Sequence, residues 1–292
     1  MPALPTVARS AAPGRAGGFD FDGGVAVVTG AASGLGRAIA TACAARGMRI
    51  LLADIDEAGL GRVVGELSTR TPCIGHPTDV RAAVALEALA DLAFGTFGGV
   101  DLLFNNAGVV IARPLLETTT ADWRWMLEVN LWGVVNGVAA FLPRMLGQRR
   151  ESRVVNTASA AGFLSEPDLG AYAASKHAVV ALSETLHKEL LRDGANMGVT
   201  VLSPAYVPTA ITASARARPT DLAPASAAVS AATQAAEARI HKAVHSGRLT
   251  ADDVAARVLE AIRARRLHVF THAKIRPGIE ARMEAIYAGF AP

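Results

Sequence analysis

Short apolar runs alternate with longer amphipathic stretches from Phe19 onward, and this alternation limits the possible folds more than any other feature of the chain. It is typical of βαβ units, in which parallel strands form a sheet whose two faces are covered by helices. The apolar runs predict strands at 25–28, 49–53, 72–76, 100–104, 153–157, 198–203 and 267–270. The helical periodicity predicts helices at 35–46, 58–68, 81–94, 121–146, 171–191 and 251–265. We therefore predict one α/β domain with a doubly wound parallel sheet of about seven strands.

Two segments depart from this alternation. Residues 1–18 are rich in Ala, Pro, Gly and Arg and have no hydrophobic periodicity, so we predict a disordered N-terminal tail followed by a single domain over 19–292. Residues 209–250 form a long stretch rich in Ala, Ser and Thr after the sixth predicted strand, at the sheet edge where ligands bind. We interpret this stretch as a lid over a substrate, with an ordinary surface insertion of one or two helices as the alternative.

Composition and charge argue against several classes of protein. No continuous apolar run reaches the roughly 18 residues that span a bilayer, and the first eighteen residues lack the apolar centre of a signal peptide. We therefore expect a cytoplasmic protein that does not bind membranes. The net charge is +3, but basic and acidic residues are intermixed, which argues against nucleic acid as a partner. Cys43 and Cys73 lack the spacing of a metal or redox site, and we predict two buried, reduced thiols and no metal.

The first predicted strand ends in the glycine-rich sequence TGAASGLG at residues 29–36 and runs directly into a helix. Gly30 permits a tight turn, Gly34 lets the backbone approach a pyrophosphate, and Gly36 allows close packing of the helix on the strand. The N–H groups and the positive dipole end of the helix, near Ser33 and Leu35, would bind the phosphates. These features predict a Rossmann-type nucleotide site, although glycine-rich turns also end strands for structural reasons alone.

Asp54 follows the second predicted strand, 24 residues after Gly30. This is close to the spacing expected of a carboxylate that binds the ribose hydroxyls of an adenosine. A carboxylate here repels the 2′-phosphate of NADP, so we expect NAD as the cofactor. Asp54 can also cap the next helix, and the two roles are compatible. Arg37 and Arg49 are cations that can weaken the preference for NAD.

Tyr172 and Lys176 are four residues apart in a strongly helical stretch, so their side chains emerge from one face of a helix. A phenol is an effective acid or base near neutral pH only if its pKa falls from about 10 to about 7, which takes roughly 4 kcal/mol. The ammonium of Lys176 and the positive charge of an oxidised nicotinamide can supply this energy. The pair predicts acid–base chemistry, but Tyr and Lys at this spacing also occur on ordinary helix surfaces.

Two polar residues strengthen this prediction. Ser159 follows the fifth predicted strand, thirteen residues before Tyr172, where its hydroxyl can orient a substrate oxygen. Asn130 lies among apolar residues of a predicted helix, so its amide needs partners, and a bound water leading to Lys176 would satisfy it. Taken singly, Ser159 can be a helix or turn cap and Asn130 an ordinary hydrogen-bonding residue of the core.

Together these residues resemble the single-domain branch of the short-chain dehydrogenase/reductase family over residues 19–270. The matching motifs are TGxxxGxG at 29–36, Asp79 with Val80, NNAG at 105–108, Asn130, Ser159, YxxxK at 172–176 and residues 204–209. The resemblance implies that Tyr172 is the acid/base and that Lys176 lowers its pKa and binds the nicotinamide ribose. It also implies that Ser159 orients the substrate and that Asn130 anchors a proton-relay water.

The same resemblance implies further cofactor contacts. Asp79 and the main chain of Val80 would contact the adenine, and Thr209 would reach the nicotinamide carboxamide or the phosphates. The cofactor site implied by the resemblance also includes Asn106, Ala107, Gly108, Pro204 and Val207. Ala205 occupies a position where the family usually has glycine, and its methyl group shifts the backbone near the nicotinamide unless the local φ is negative. Family members commonly form tetramers through the helices predicted at 121–146 and 171–191, so we expect a homotetramer or dimer.

The expected activity is hydride transfer between NAD(H) and a carbon that carries an alcohol or ketone. The candidate substrate pocket is mostly apolar and comprises Ala161, Phe163, Leu164, Leu169, Tyr206 and Ile211. An apolar pocket favours a hydrophobic secondary alcohol, such as a steroid-like or aryl compound. Two alternatives are a nucleotide-sensing regulator without turnover, and an epimerase or dehydratase on the same scaffold. The latter enzymes usually need a larger substrate domain, which is missing after residue 270.

Overall fold

Within residues 18–148, 150–223 and 229–290, which the computed structural model describes, seven parallel strands form one sheet. The strands are β1 Val25–Thr29, β2 Arg49–Asp54, β3 Cys73–Pro77, β4 Leu102–Asn105, β5 Ser152–Thr157, β6 Met197–Ser203 and β7 His268–Phe270. Their order is β3-β2-β1-β4-β5-β6-β7. The direction of winding reverses between β1 and β4, so the sheet is doubly wound and of the Rossmann type, as predicted.

Helices cover both faces of the sheet, as predicted. They are α1 Gly34–Ala44, α2 Glu57–Leu67, α3 Ala83–Phe97, α4 Thr120–Leu127, α5 Gly133–Gly147, α6 Gly170–Arg192, α7 Ala231–His245, α8 Ala251–Arg263 and α9 Arg276–Ala288. The single helix predicted at 121–146 is interrupted by a π-helical turn, Glu128–Trp132, which joins α4 to α5. Helix α9 was not predicted, because none of its residues is buried and no apolar face marks it.

Alternation along the strands divides the interior into two hydrophobic cores. Ala26 and Val28 of β1 face the layer that contains α1 and α8, whereas Val25 and Val27 face the layer that contains α3, α5 and α6. Full burial of each valine side chain stabilises the fold by about 1.5–3 kcal/mol. Both cysteines are buried free thiols, as predicted. The hydrophobic effect therefore holds a helical layer on each face of the sheet.

A crevice forms at the carboxyl ends of β1 and β4, because the helices that follow these strands pack on opposite faces. Thr29 joins the two strand ends: its hydroxyl donates to the Phe104 carbonyl at 3.2 Å and accepts from the Asn106 N–H at 2.9 Å. The Asn106 amide donates to the Thr29 carbonyl at 3.0 Å and accepts from the Thr157 hydroxyl at 3.2 Å. These bonds position the ends of β1, β4 and β5 around the crevice.

The segment after β6 is attached to the N-terminal end of α4. It contains α7 and the 3₁₀ turns Ala210–Ala217 and Thr220–Leu222. The buried carboxylate of Asp122 binds Arg218 at 2.6 Å, and Glu117 accepts hydrogen bonds from the hydroxyls of Ser230 and Thr233. A role as a lid stays a prediction for this segment. Its residues 224–228 and the tail residues 1–17 lie outside the described residues.

Among the described residues one helical stretch, Thr120–Gly147, is long and apolar enough to cross a membrane by length and composition. Half of its most apolar part is buried within the protein. Helix α5, its second half, packs against α3 and against β4 and β5. This is the position of a core helix that covers one face of the sheet.

Gly36 of α1 packs so closely on the preceding turn that no side chain fits. A Cβ atom at Gly36 would lie 2.0 Å from the carbonyl oxygen of Gly30. We predict that Gly36→Ala lowers the free energy of unfolding by at least about 2 kcal/mol, because α1 must move away from the strand. Gly61→Ala in α2 is the control, since a Cβ atom there meets nothing within 4 Å and helix propensity should add about 0.5–1 kcal/mol. Denaturant unfolding measures both, and equal stabilities would refute the prediction.

Candidate active site

A cavity of about 550 Å³ occupies the crevice at the carboxyl end of the sheet. It extends from the glycine-rich turn after β1 to the segment that follows β6. The predicted cofactor-binding residues all line it: Gly30, Ser33, Gly34, Leu35, Gly36, Asp54, Asp79, Val80, Asn106, Ala107, Gly108, Tyr172, Lys176, Pro204, Val207 and Thr209. Ser159 lines it as well, whereas Asn130 lies behind the wall. The fold therefore brings residues from distant parts of the sequence into one cavity.

The glycine-rich turn brings the backbone up to the cavity. Gly30 has a φ of +67° and Gly34 a φ of +53°, a region that side chains with a Cβ atom rarely adopt. A Cβ atom on Gly30 would lie 2.8 Å from the Cα atom of Ala107, and one on Gly34 would lie 3.2 Å from the Cβ atom of Thr209. Ser33 precedes α1, and its side chain makes no capping hydrogen bond. The first turn of α1 thus presents backbone N–H groups to the cavity, an arrangement that suits a phosphate.

Asp54 is the last residue of β2, and backbone donors hold its carboxylate at the cavity. Oδ2 accepts from the Ala32 N–H at 2.8 Å, and Oδ1 accepts from the Asp56 N–H at 3.0 Å. The alternative that Asp54 caps the next helix is wrong, because Asp56 is the N-cap of α2. Arg37 and Arg49 have other partners: Arg37 pairs with Glu66 at 2.8 Å, and Arg49 donates to backbone carbonyls.

Asp79 lies in the cavity wall as an ion pair. Arg81 donates from Nε and Nη2 to the Asp79 carboxylate at 2.9 and 2.7 Å, and these bonds raise the pKa of Arg81. The buried amide of Asn136 donates to the carbonyls of Val80 and Arg81 at 2.9 and 3.2 Å. Sequence reasoning missed Arg81 and Asn136. The Asp-x-Arg spacing could have indicated that Arg81 pairs with Asp79. The contact of Asn136 with Val80 spans more than fifty residues, so no local sequence pattern indicates it.

Tyr172 and Lys176 both lie on α6, as predicted. The Lys176 ammonium is 5.8 Å from the centre of the Tyr172 ring and donates to the Thr157 carbonyl at 2.9 Å. Burial lowers the pKa of Lys176 to about 8. Burial also raises the pKa of Tyr172, against the effect of a hydrogen bond with Ser159. The expected lowering of the Tyr172 pKa by Lys176 is therefore not found in the protein alone, because burial disfavours the charged form of each group.

Ser159 lies directly after β5 and is buried. Its hydroxyl accepts from the Ala161 N–H at 3.1 Å, which caps the 3₁₀ turn Ala160–Gly162. The same hydroxyl donates to the Pro204 carbonyl at 3.4 Å and is within hydrogen-bond range of Tyr172. Ser159 thus caps a turn and faces the cavity at the same time, so the two interpretations of its role are compatible.

Asn130 lies in the π-helical turn and is fully buried. Its Oδ1 accepts from the Val109 N–H at 2.8 Å, and its Nδ2 donates to the Val109 carbonyl at 3.0 Å and to the Ser175 hydroxyl at 3.1 Å. Protein groups already bond to this amide, and the predicted water leading to Lys176 stays a prediction. Asn130 is nevertheless close to Lys176: a Cβ atom on Gly108 would lie 3.3 Å from Asn130 Oδ1 and 3.5 Å from Lys176 Nζ.

This arrangement of turn, carboxylate, serine, tyrosine and lysine matches a known family. The family model described as short chain dehydrogenase matches residues 24–220, which include every residue of the predicted catalytic and cofactor sites. The chain belongs to the short-chain dehydrogenase family. It is accordingly an oxidoreductase, and the resemblance inferred from the sequence is confirmed.

Solved structures and named proteins of the family are similar over most of the chain. A short-chain dehydrogenase/reductase from Burkholderia phymatum, in complex with NAD, is 46% identical with a TM-score of 0.91 and covers 94% of this chain and 98% of its own. The CLA biosynthesis dehydrogenase/reductase of Lactiplantibacillus plantarum is 30% identical over 94% of this chain and 96% of its own length. The 1-deoxy-11-beta-hydroxypentalenate dehydrogenase of Streptomyces avermitilis is 40% identical over 64% of this chain and 70% of its own. The names of these relatives refer to different compounds, so membership of the family does not by itself identify a substrate.

The structure decides two expectations, one on the backbone at Ala205 and one on the location of Phe163. Ala205, where the family usually has glycine, is not among the residues with positive φ, so its methyl group is accommodated without backbone strain. Phe163 does not line the cavity, contrary to the prediction. Its ring packs edge-on against Phe270 and His268 of β7, at centroid distances of 4.9 and 5.8 Å. The remaining predicted pocket residues do line the cavity: Ala161, Leu164, Leu169, Tyr206 and Ile211.

The buried ammonium of Lys176 makes stability depend on pH. Its pKa of about 8 in the folded protein lies below the ordinary value of 10.5, so the unfolded chain binds more protons between these values. Stability from this group therefore rises with pH over that interval, and Lys176→Met removes the effect. We predict that the free energy of unfolding of the wild type, minus that of Lys176→Met, grows by up to about 3 kcal/mol from pH 8 to 10.5.

Denaturant titrations at several pH values test this prediction. Lys188→Met replaces an exposed lysine on the same helix and is the matched control. Its stability should run parallel to that of the wild type across the whole pH range. A pH-independent difference between the wild type and Lys176→Met would show that the folded protein does not lower the pKa of Lys176.

Proposed function

We propose that the protein transfers a hydride between NAD(H) and the CH–OH or C=O carbon of a secondary alcohol or ketone, with Tyr172 as the acid/base. One observation supports this most directly: Tyr172, Ser159 and Lys176 line the same cavity as the glycine-rich turn and Asp54. A substrate near Tyr172 and a dinucleotide at the turn would meet within this single cavity. The similarity to a relative solved with NAD supports the same choice of cofactor.

The residues present fit a dinucleotide. The first turn of α1 and the hydroxyl of Ser33 would hold the pyrophosphate, because no side-chain hydrogen bond caps the start of this helix. Asp54 would bind the adenosine ribose, since each of its carboxylate oxygens accepts one backbone N–H and keeps a further lone pair. Lys176 would bind the other ribose. When bound, the nicotinamide ring supplies the acceptor or donor of the hydride.

Tyr172 would hold the proton of the reacting oxygen. In oxidation the phenolate oxygen of Tyr172 takes the proton of the substrate hydroxyl, and in reduction the phenol returns it. Ser159 would turn its hydroxyl away from the Pro204 carbonyl, 3.4 Å away, and donate to the same substrate oxygen to orient it. Burial favours the protonated phenol, so positive charge in the cavity has to favour the phenolate. The Lys176 ammonium, 5.8 Å from the ring, supplies part of that charge below its pKa of about 8.

The substrate side of the cavity is mostly apolar. In addition to the pocket residues named above, Ile240 and Val244 of α7 and Ile275 before α9 line it. Charged groups line it as well: Glu166, Arg216 and Lys274 are exposed side chains. We propose a hydrophobic secondary alcohol or ketone, steroid-like or aryl, whose apolar body packs beneath α7.

We also propose that the protein is a cytoplasmic homo-oligomer, a tetramer or dimer. Helices α5 and α6 bury one side against the sheet. Apolar groups that a second copy would cover are exposed on these helices and on the π-helical turn before α5. Trp132 of the turn, Leu146 of α5 and Leu191 of α6 are 54%, 41% and 44% exposed. Burial of such groups between identical surfaces is the usual basis of symmetric association.

Tyr172→Phe tests the acid/base assignment. The substitution removes only the hydroxyl, so we predict that NADH binding stays within about threefold of the wild type, whereas kcat falls by at least roughly 100-fold. Tyr287→Phe, which alters an exposed tyrosine of α9, is the matched control and should retain full turnover. The measurements are NADH fluorescence titration and NADH production with pooled secondary alcohols. Unimpaired turnover by Tyr172→Phe would refute the assignment.

Asp54→Asn tests the choice of cofactor. The variant keeps a hydrogen-bond acceptor for the Ala32 N–H but removes the charge that repels a 2′-phosphate. We predict that the ratio of kcat/KM for NADP to kcat/KM for NAD rises by about tenfold or more. Glu57→Gln removes a charge three residues away, outside the cavity lining, and should change this ratio by less than about twofold. If both variants shift the ratio equally, the preference does not depend on contact with Asp54.

A further inference from the structure

We propose that His272 is a positioning residue: its neutral imidazole fixes the peptide bond between Pro204 and Ala205 against Ser159, and protonation of the imidazole releases that peptide and weakens cofactor binding. This inference rests on the proposed function, because it treats the Pro204–Ala205 turn as part of the NAD site. His272 was not among the residues predicted from the sequence and does not itself line the cavity.

The pairing of β6 with β7 brings the two segments together. Ser203, the last residue of β6, lies opposite Phe270, the last residue of β7. The residues that follow both strands therefore continue side by side. Between these two segments the Ala205 N–H donates a hydrogen bond to Nδ1 of His272 at 3.4 Å. Ile275 N–H donates to the His272 carbonyl at 3.3 Å, which fixes the backbone of His272 in the turn that precedes α9.

The Pro204–Ala205 peptide is bonded at both of its polar atoms. Its carbonyl oxygen accepts from the Ala160 N–H at 2.8 Å and from the Ser159 hydroxyl at 3.4 Å. Its N–H, which points the opposite way in a trans peptide, donates to His272. The peptide plane therefore links His272 on one side to Ser159 on the other. Pro204, Ala205 and Ser159 all line the cavity, so rotation of this plane would change the cavity wall.

The hydrogen bonds define which tautomer His272 must adopt. A backbone N–H only donates, so Nδ1 must present its lone pair to Ala205. The ring proton of the neutral form then lies on Nε2. The Thr271 hydroxyl, 2.7 Å from Nδ1, can donate to this nitrogen when it is unprotonated and accept from it when it is protonated. An imidazolium carries a proton on Nδ1 as well. The Thr271 hydroxyl can accept that proton, but the Ala205 N–H then loses its acceptor and faces a donor.

The charges around His272 favour the neutral ring at neutral pH. Partial burial lowers its pKa below the ordinary value, and the nearby cations Lys274 and Arg257 lower it further. Lys274 lies two residues along the chain, and Arg257 of α8 also donates to the Thr271 carbonyl. At neutral pH the neutral imidazole therefore holds the Pro204–Ala205 peptide through its N–H, and this hydrogen bond is lost as the solution becomes acidic. Because the pKa is lowered, the release occurs below about pH 6.5.

The test compares NAD binding by titration calorimetry between pH 5 and pH 8 for the wild type, His272→Asn and His272→Leu. Asn places its Oδ1 where Nδ1 lies and accepts from Ala205 at every pH, whereas Leu never accepts. We expect the wild-type affinity for NAD to fall roughly three- to tenfold from pH 8 to pH 5, the scale of one lost hydrogen bond. His272→Asn should keep its pH 8 affinity throughout. His272→Leu should bind weakly at both pH values.

His268→Asn is the matched control, because it changes another histidine of the same chain region that lies outside the cavity lining. It should show the same acid weakening as the wild type. Thermal unfolding of each variant at both pH values separates this effect from loss of fold. If His272→Asn weakens at acid pH as much as the wild type does, the positioning role is overturned. If the wild type fails to bind NAD at pH 8, the proposed function fails instead, so the two failures are distinguishable.

Discussion

The hydroxyl of Thr29 is the group on which the geometry of the site depends most. A hydroxyl can donate one hydrogen bond and accept two. Thr29 uses all three, donating to the Phe104 carbonyl and accepting from the N–H groups of Asn106 and Ala107. These bonds join β1 to β4 at the level where the two strands separate and regular pairing ends. The glycine-rich turn and the NNAG segment therefore leave the sheet from fixed positions, and Gly30 packs directly on Ala107.

The charged groups that line the cavity have different kinds of partner near the cofactor-binding turn and near Tyr172. In the cofactor half the carboxylate of Asp54 is held by backbone donors, and that of Asp79 by Arg81. In the catalytic half the Lys176 ammonium is buried and donates to a neutral group, the Thr157 carbonyl. Burial lowers the pKa of Lys176. Such an arrangement reduces stability, which is common where a protein keeps a group ready for chemistry. The two hydrophobic cores on either side of the sheet offset this cost.

The sheet was predictable from sequence because its signals are local. Short apolar runs mark the strands, and the glycines at 30, 34 and 36 have the turn and packing uses expected of them. The misses depended on contacts that local patterns do not encode. The π-helical turn at Asn130 follows from bonds to Val109, 21 residues away. Phe163 was placed in the pocket because it follows Ser159, but its ring packs on β7, more than a hundred residues later. Helix α9 has no buried face, so its sequence shows no amphipathic pattern from which a helix could be predicted.

The lowered pKa of Lys176 also has a consequence for the covalent chemistry of the protein. A surface lysine is almost wholly protonated at neutral pH and is a poor nucleophile. With a pKa of about 8, Lys176 is a neutral amine in roughly a tenth of the molecules at pH 7. It lines the cavity, so a carbonyl compound that enters there would meet an amine able to form a reversible imine with loss of water. We therefore expect small aldehydes to label Lys176 in preference to the exposed lysines of the chain.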